Sequence, residues 1–152
     1  MPNDYSAALT VSVTWDRFHR DTHRLAGKLA GLGPFKGILA VARGGLVPAC
    51  LIARITGLRL VDTVCIASYD DRAQGSVTIL KDIALPDQGA GWLVVDDLVD
   101  SGVTARFVKA LLPKAHYATV YAKPMGRPDA DTCAVEVEQE VWLVFPWDTD
   151  PT

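Results

Sequence analysis

The chain has 152 residues, 49% of them hydrophobic and 22% charged, with a net charge of −3. That is enough chain for one domain with a sizeable core, and the negative balance argues against the basic face that general nucleic-acid binding uses. No apolar run approaches the about 20 residues needed to cross a bilayer, and the first ten residues lack the basic-then-apolar build of a secretory signal, so a cytoplasmic protein is expected.

Residues 11–15 read as a short first strand. Thr14 or Asp16 can then cap a helix with Phe18, Thr22, Leu25, Leu29 and Leu32 on one face, ended by Gly31, Gly33 and Pro34. His19 and His23 stand one turn apart on it, which suits a metal pair. No third ligand has matching spacing, so an ordinary exposed pair is the expected reading. Residues 37–42 are an apolar run of the buried-strand kind. The run enters Arg43-Gly44-Gly45 and then a helix to Thr56, stopped by Gly57, with Pro48 in its first turn. Strand, Arg-Gly-Gly, helix is a place where backbone N–H groups and a guanidinium can face an anion together; alone, the tripeptide is equally a tight turn.

Residues 58–67 form a third expected strand, 68–75 a polar mobile loop, 77–80 a return strand ending at Lys81, and 82–91 a connection. Residues 92–95 are again apolar and end on two adjacent acids, Asp96 and Asp97. After Leu98 and Val99, Asp100 opens Ser101-Gly102-Val103-Thr104, which leads into a helix with an expected apolar face of Val103, Phe107, Ala110 and Leu111. A helix N-terminus presents free N–H groups and partial positive charge, which suits a phosphate. Acids beside such a cradle make sense if they hold sugar hydroxyls, a metal or a proton. Residues 118–122 read as another strand with Lys123 at its carboxyl end. Residues 126–128 turn the chain, and two short apolar segments, 133–137 and 141–145, carry Trp142 and Leu143 toward Pro146-Trp147-Asp148. Cys50, Cys65 and Cys133 show no C-x-x-C spacing and are expected to be small buried residues in a reducing compartment.

Strands alternating with helices point to an α/β fold with a mainly parallel sheet, in one domain over residues 1–152. In such sheets ligands sit outside the carboxyl ends of the strands. Here those ends carry Arg43-Gly44, Asp96-Asp97 and Lys123, so one rim is expected to gather an anion site, a diol or metal site and a lone ammonium. Locally, Asp100 could instead be an N-cap, Lys123 a solvent-facing charge and Trp142 a core residue.

The string from Val94 to Thr104 resembles the phosphoribosyl-diphosphate signature of the type I phosphoribosyltransferases. Val41 to Pro48, Val61 to Ile66, Ala122-Lys123-Pro124, Gly126-Arg127-Pro128 and Pro146-Trp147-Asp148 are similar to stretches of the small bacterial xanthine–guanine members of that family. The resemblance implies the type I fold: a mainly parallel sheet flanked by helices, a mobile active-site loop over 68–77 and a purine-binding hood over 124–148. It implies that Ser101, Gly102, Val103 and Thr104 bind the 5′-phosphate, within a donor-binding run that includes Leu98, Val99 and Asp100. Asp96 and Asp97 would face the ribose hydroxyls, with Asp97 also reaching Mg²⁺ through water. Arg43 and Gly44 would hold the pyrophosphate, and the Ala42–Arg43 peptide entering their loop is expected to be cis. Lys123 would donate to the purine O6, which excludes adenine. Trp142 would stack on the base, the Leu143 carbonyl would accept from a 2-amino group, and Asp100 would take the N7 proton. A tetramer, with at most peripheral membrane association, is implied as well. Gly75 stands where relatives carry a basic loop residue, so Arg72 or Lys81 is expected to substitute. Val144 is apolar where relatives can be acidic. Two other readings touch the same residues: a nucleotide-sensing regulator on the same fold that binds RNA or DNA, and a phosphatase, whose Asp-x-Asp-x-Thr spacing the Asp96-Asp97-Leu98 string does not supply.

Overall fold

The structure is a computed structural model and describes residues 9–69 and 76–148. Its elements run β1 (Thr10–Ser12), α1 (Trp15–Leu29), β2 (Gly37–Ala42), α2 (Leu46–Thr56), β3 (Val61–Tyr69), β4 (Ser76–Lys81), β5 (Trp92–Val99), α3 (Val103–Leu111), β6 (His116–Ala122), β7 (Thr132–Glu136) and β8 (Trp142–Val144). A turn with Asp87 and Gln88 in the left-handed region occupies Pro86–Gly89, and a short 3-10 turn Arg127–Asp129. Six strands form one sheet in the order β4-β3-β2-β5-β6-β7, and β1 pairs in parallel with β8 in a second, two-stranded sheet. Within the larger sheet only β4 runs antiparallel to its neighbour.

Strand alternation sorts the core into two layers. Ile38 and Ala40 of β2 face one side with Leu93 and Val95 of β5, where Phe18, Leu25 and Leu29 of α1 and Ala49 and Ile52 of α2 cover them. Leu39, Val41 and Val94 face the other side, against Ala105 and Val108 of α3 and Leu112 just beyond it. Burying each of the larger side chains stabilises the fold by about 1.5–3 kcal/mol. Thr14 caps α1 by accepting from the Arg17 N–H at 3.1 Å, and Gly57 (φ 77°) closes α2 in the left-handed region.

Several expectations are corrected. The first strand stops at Ser12, because Thr14 is the helix cap, and Leu32 lies past the end of α1, 53% exposed. The buried face of α1 includes Asp21 beside Thr22, and Asp21 accepts from the buried Tyr121 hydroxyl at 2.6 Å. The buried face of α3 is Ala105, Val108 and Leu112, while Ala110 and Leu111 are exposed. Ser68 and Tyr69 still belong to β3 and Ser76 to β4; residues 70–75 of the expected loop, with Arg72 and Gly75, lie outside the described residues. Cys133 is buried as expected, but Cys50 is exposed on α2.

Candidate active site

The chain order around β2 and β5 makes a place for a ligand. From β2 the connection through α2 leads outward to β3, whereas from β5 the connection through α3 leads the opposite way to β6. The loops leaving the two adjacent strands therefore diverge, and a crevice opens at their carboxyl ends. Arg43, Gly44, Asp97, Trp147 and Asp148 line a cavity of about 480 Å³ there.

The two loops are shaped by backbone. The Ala42–Arg43 peptide is cis, as the resemblance implies. Gly44 packs so close to β5 that a Cβ on it would lie 2.5 Å from Asp97 Oδ2, so only glycine lets the carboxylate and this loop share the crevice. Gly102 sits at φ 89° as the N-cap of α3, and no side chain caps the helix. Its first-turn N–H groups are thus presented by residues 102–104 without a side-chain competitor of good geometry; the Ser101 hydroxyl is 3.5 Å from the Val103 nitrogen.

The acids occupy three environments. Contrary to the apolar-run reading, β5 does not stop before them: Asp96 stays in register with Thr119 of β6, and Leu98 with Tyr121. Asp96 is buried, accepting from the Asp97 N–H at 2.9 Å and the Tyr117 hydroxyl at 3.1 Å. Burial, with the Asp97 charge beside it, pushes its carboxyl well above the usual carboxylate range, and the same burial pushes the Tyr117 phenol up. Burial also raises the Asp97 carboxyl, hydrogen bonds to backbone N–H groups and Asp96 opposing the shift and the charge of Asp148 adding to it. Asp100 is not the cap of α3. Its Oδ2 lies 3.1 Å from Lys123 Nζ and its Oδ1 accepts from Gln139 Nε2 at 2.8 Å. The Lys123 side chain is 5% exposed and that of Asp100 49%, so the pair joins a buried ammonium to an accessible carboxylate.

At the second sheet, the bonds between β8 and the strand beside it use the Trp142 N–H, donating to the Leu9 carbonyl, and the Val144 carbonyl, accepting from Val13. Alternation along the strand then turns the Leu143 carbonyl to the opposite edge. Trp142 is 51% exposed, so it is not a core residue.

Arg43, Gly44 and Asp97 thus meet in one crevice, and Asp100 meets Lys123 where β5 and β6 end. Lys81 is engaged elsewhere: it donates to Asp62 Oδ1 at 2.9 Å and to the Thr63 carbonyl at 2.6 Å. Sequence reasoning assigned no role to Tyr117, Gln139, Trp147 or Asp148. The Pro146-Trp147-Asp148 string was a signal that could have placed the last two at the site; Tyr117 and Gln139 carried none. Among the described residues no group of three or more His, Cys, Asp or Glu side chains could hold a metal by itself, and His19 and His23 contact only each other's ring at 3.2 Å.

A family model described as a phosphoribosyl transferase domain matches residues 14–152. A curated xanthine-guanine phosphoribosyltransferase from Desulfotalea psychrophila is 53% identical over 142 residues, covering 93% of this chain and 88% of its own length. Another from Nitratidesulfovibrio vulgaris is 53% identical over 139 residues, 91% of this chain and 84% of its own. Among solved structures, a purine phosphoribosyltransferase from Pyrococcus horikoshii is similar at TM-score 0.77 and 27% identity, covering 94% of this chain and 97% of that one.

Proposed function

The chain belongs to the phosphoribosyltransferase family, and from that premise we propose that it moves the 5-phosphoribosyl group of 5-phosphoribosyl-1-diphosphate to N9 of a 6-oxopurine. Guanine and xanthine are the first substrates and hypoxanthine the third, with the purine nucleotide and diphosphate as products. The observation that carries the reading is the Lys123–Asp100 pair, set beside the uncapped start of α3. A buried ammonium selects a carbonyl oxygen at the purine 6-position, because a 6-amino group brings donors where an acceptor is needed. The names of the relatives at 53% identity point the same way.

Each side chain then has a task. The N–H groups and hydroxyls of 101–104 hold the 5′-phosphate, and Arg43 with the Gly44 backbone holds the diphosphate. Asp96 and Asp97 accept from the ribose hydroxyls. Trp142 stacks on the base while the Leu143 carbonyl accepts from a 2-amino group. As the N9 lone pair forms the bond to C1′, the C1′–O bond breaks and its electron pair leaves with diphosphate; Asp100 takes the N7 proton. Lys123 has three N–H donors, so it can keep Asp100 in place while donating to O6. Val144, beside Leu143, adds no charge at the 2-position.

The residues present fit Mg²⁺. Asp97 offers a hard oxygen donor in the same crevice as Arg43 and Asp148, and Mg²⁺ needs only one or two carboxylates when substrate oxygens and water complete its shell. Bound there, it would offset negative charge gathering on the leaving diphosphate.

A tetramer in the cytoplasm, at most peripherally attached to a membrane, belongs to the same proposal; no helix among the described residues is long and apolar enough to cross one. The nucleic-acid-binding alternative has no observation in its favour, and the net charge of −3 opposes it. The test is nucleotide formation from Mg²⁺, phosphoribosyl diphosphate and guanine, xanthine, hypoxanthine or adenine supplied singly. Product from 6-oxopurines and none from adenine is expected; no product from any 6-oxopurine refutes the proposal.

A further inference from the structure

Behind the phosphate cradle lies a charge pair that none of these steps uses. Asp129 closes the 3-10 turn Arg127–Asp129, and its carboxylate packs on Gly102, where a Cβ would collide with Asp129 Oδ2. Arg106, in α3, donates Nη1 to that oxygen at 2.7 Å and lies 3.4 Å from the Ser101 carbonyl oxygen. The segment bearing Asp129 is itself fastened to the end of β5. The Lys123 N–H donates to the Val99 carbonyl at 2.9 Å, and a Cβ on Gly126 would lie 2.7 Å from the Asp100 carbonyl oxygen.

As an ion pair, Arg106–Asp129 is worth little to global stability, since the two side chains are 54% and 20% exposed. Its position is the telling feature. A carboxylate pressed on Gly102 would repel a phosphate held by the adjoining N–H groups unless a cation neutralised it. We infer that Arg106 and Asp129 are positioning residues for the 5′-phosphate: the guanidinium cancels the Asp129 charge and ties down the Ser101 carbonyl, so that the N–H groups of 102–104 stay turned toward the ligand. Arg106 also ties the cradle to the segment that follows Lys123, so the donor and base subsites share a wall. The inference rests on the reading of 101–104 as the phosphate site.

The test uses Arg106→Met, Asp129→Asn, the double variant and Arg106→Lys. Dissociation constants for Mg²⁺–phosphoribosyl diphosphate and for GMP are measured by calorimetry, with steady-state kinetics and a thermal melt of each protein. Arg106→Met, which strands the carboxylate, should weaken both ligands about tenfold with kcat at saturation changed less than about twofold. The double variant, free of the stranded charge but without the contact to the Ser101 carbonyl, should recover part of the loss and bind more tightly than Arg106→Met. Asp129→Asn, which keeps the guanidinium, should bind within about threefold of wild type, and Arg106→Lys should recover much of the loss. Wild-type affinity in Arg106→Met, or a double variant as weak as Arg106→Met, overturns the inference and makes the pair merely structural. A wild-type protein that binds neither ligand would instead sink the phosphate-site reading on which it rests.

Discussion

Replacing Asp100 with Asn separates the proposed proton acceptor from a structural charge. In the wild type, Asp100 answers two donors at once: Lys123 Nζ at 3.1 Å and Gln139 Nε2 at 2.8 Å. Gln139 cannot simply turn over, because its Oε1 accepts from the Met125 N–H at 3.0 Å. Asn offers one carbonyl oxygen, so one of the two donors would face an NH₂ group. The gross attraction of unit charges at this separation runs from about 1 kcal/mol in water to about 5 at an effective dielectric constant near 20. Asp100 is half exposed, so the net loss belongs near the low end, about 1–2 kcal/mol. For a domain this size that lowers Tm by about 2–8 °C. Loss of a proton acceptor should cost far more in rate, about 10²- to 10⁴-fold in kcat. Affinity for phosphoribosyl diphosphate should stay within about twofold if, as proposed, backbone N–H groups hold the phosphate. Steady-state kinetics at saturating base and a titration of the donor read the two quantities separately. A kcat within tenfold of wild type, or a collapse of donor affinity, would refute the assignment.

Gly44→Ala places a methyl group 2.5–2.6 Å from the Asp97 carboxylate, which must swing away; kcat/KM for phosphoribosyl diphosphate should fall about 10- to 100-fold with little change in Tm, and an unchanged value would mean the two groups do not act together. Lys123→Ala should lower kcat/KM for guanine about 10- to 100-fold, the worth of one charged hydrogen bond, and narrow the margin over adenine; an intact margin removes Lys123 from base selection. Asp96 has a folded pKa raised above its unfolded one, so its favourable contribution is full below the unfolded pKa and is lost as pH rises through the folded value. Ligand-free Asp96→Asn should therefore gain Tm over wild type as pH rises and lose that gain in acid; a pH-independent difference contradicts the burial argument.

How much of this was legible in the sequence depended on whether the signal was local. The bounds of β2 and the stop of α2 at Gly57 followed from an apolar run and a glycine, both properties of neighbouring residues. The end of β5 did not. Hydropathy falls at Asp96, but the strand is held by backbone pairing to β6, which continues to Val99 whatever the side chains are. The face of α3 was ambiguous for another reason. Its sequence carries two overlapping apolar stripes, and which one is buried is decided by Leu39, Val41 and Val94 on the sheet beneath. The partners that give the acids their characters lie farther off: Tyr117 is 21 residues from Asp96 and Gln139 is 39 from Asp100. No local pattern announces such pairs. Of the rim residues the resemblance singled out, Arg43, Gly44 and Asp97 line one crevice and Asp100 meets Lys123, yet the contacts that distinguish their chemistry came only with the fold.

Three acids within five residues would repel one another in a uniform setting; strand geometry gives each its own partners, although Asp96 still feels the Asp97 charge beside it. Successive side chains of β5 point to opposite faces, so Asp96 turns to Tyr117 while Asp97 opens on the Arg43 crevice. Asp100 lies past the strand end, where the chain bends toward α3 and alternation no longer applies, and the Lys123 segment reaches it. Their energetics diverge accordingly. Asp96 is buried and Asp97 half-buried, so desolvation raises both carboxyls, a cost that a proton, hydrogen-bond donors or a nearby cation can relieve. Asp100 has its cation built in. On the proposed reading, the first two would meet a cation and a diol, and the third, held by Lys123 and Gln139 yet half exposed, would take a proton.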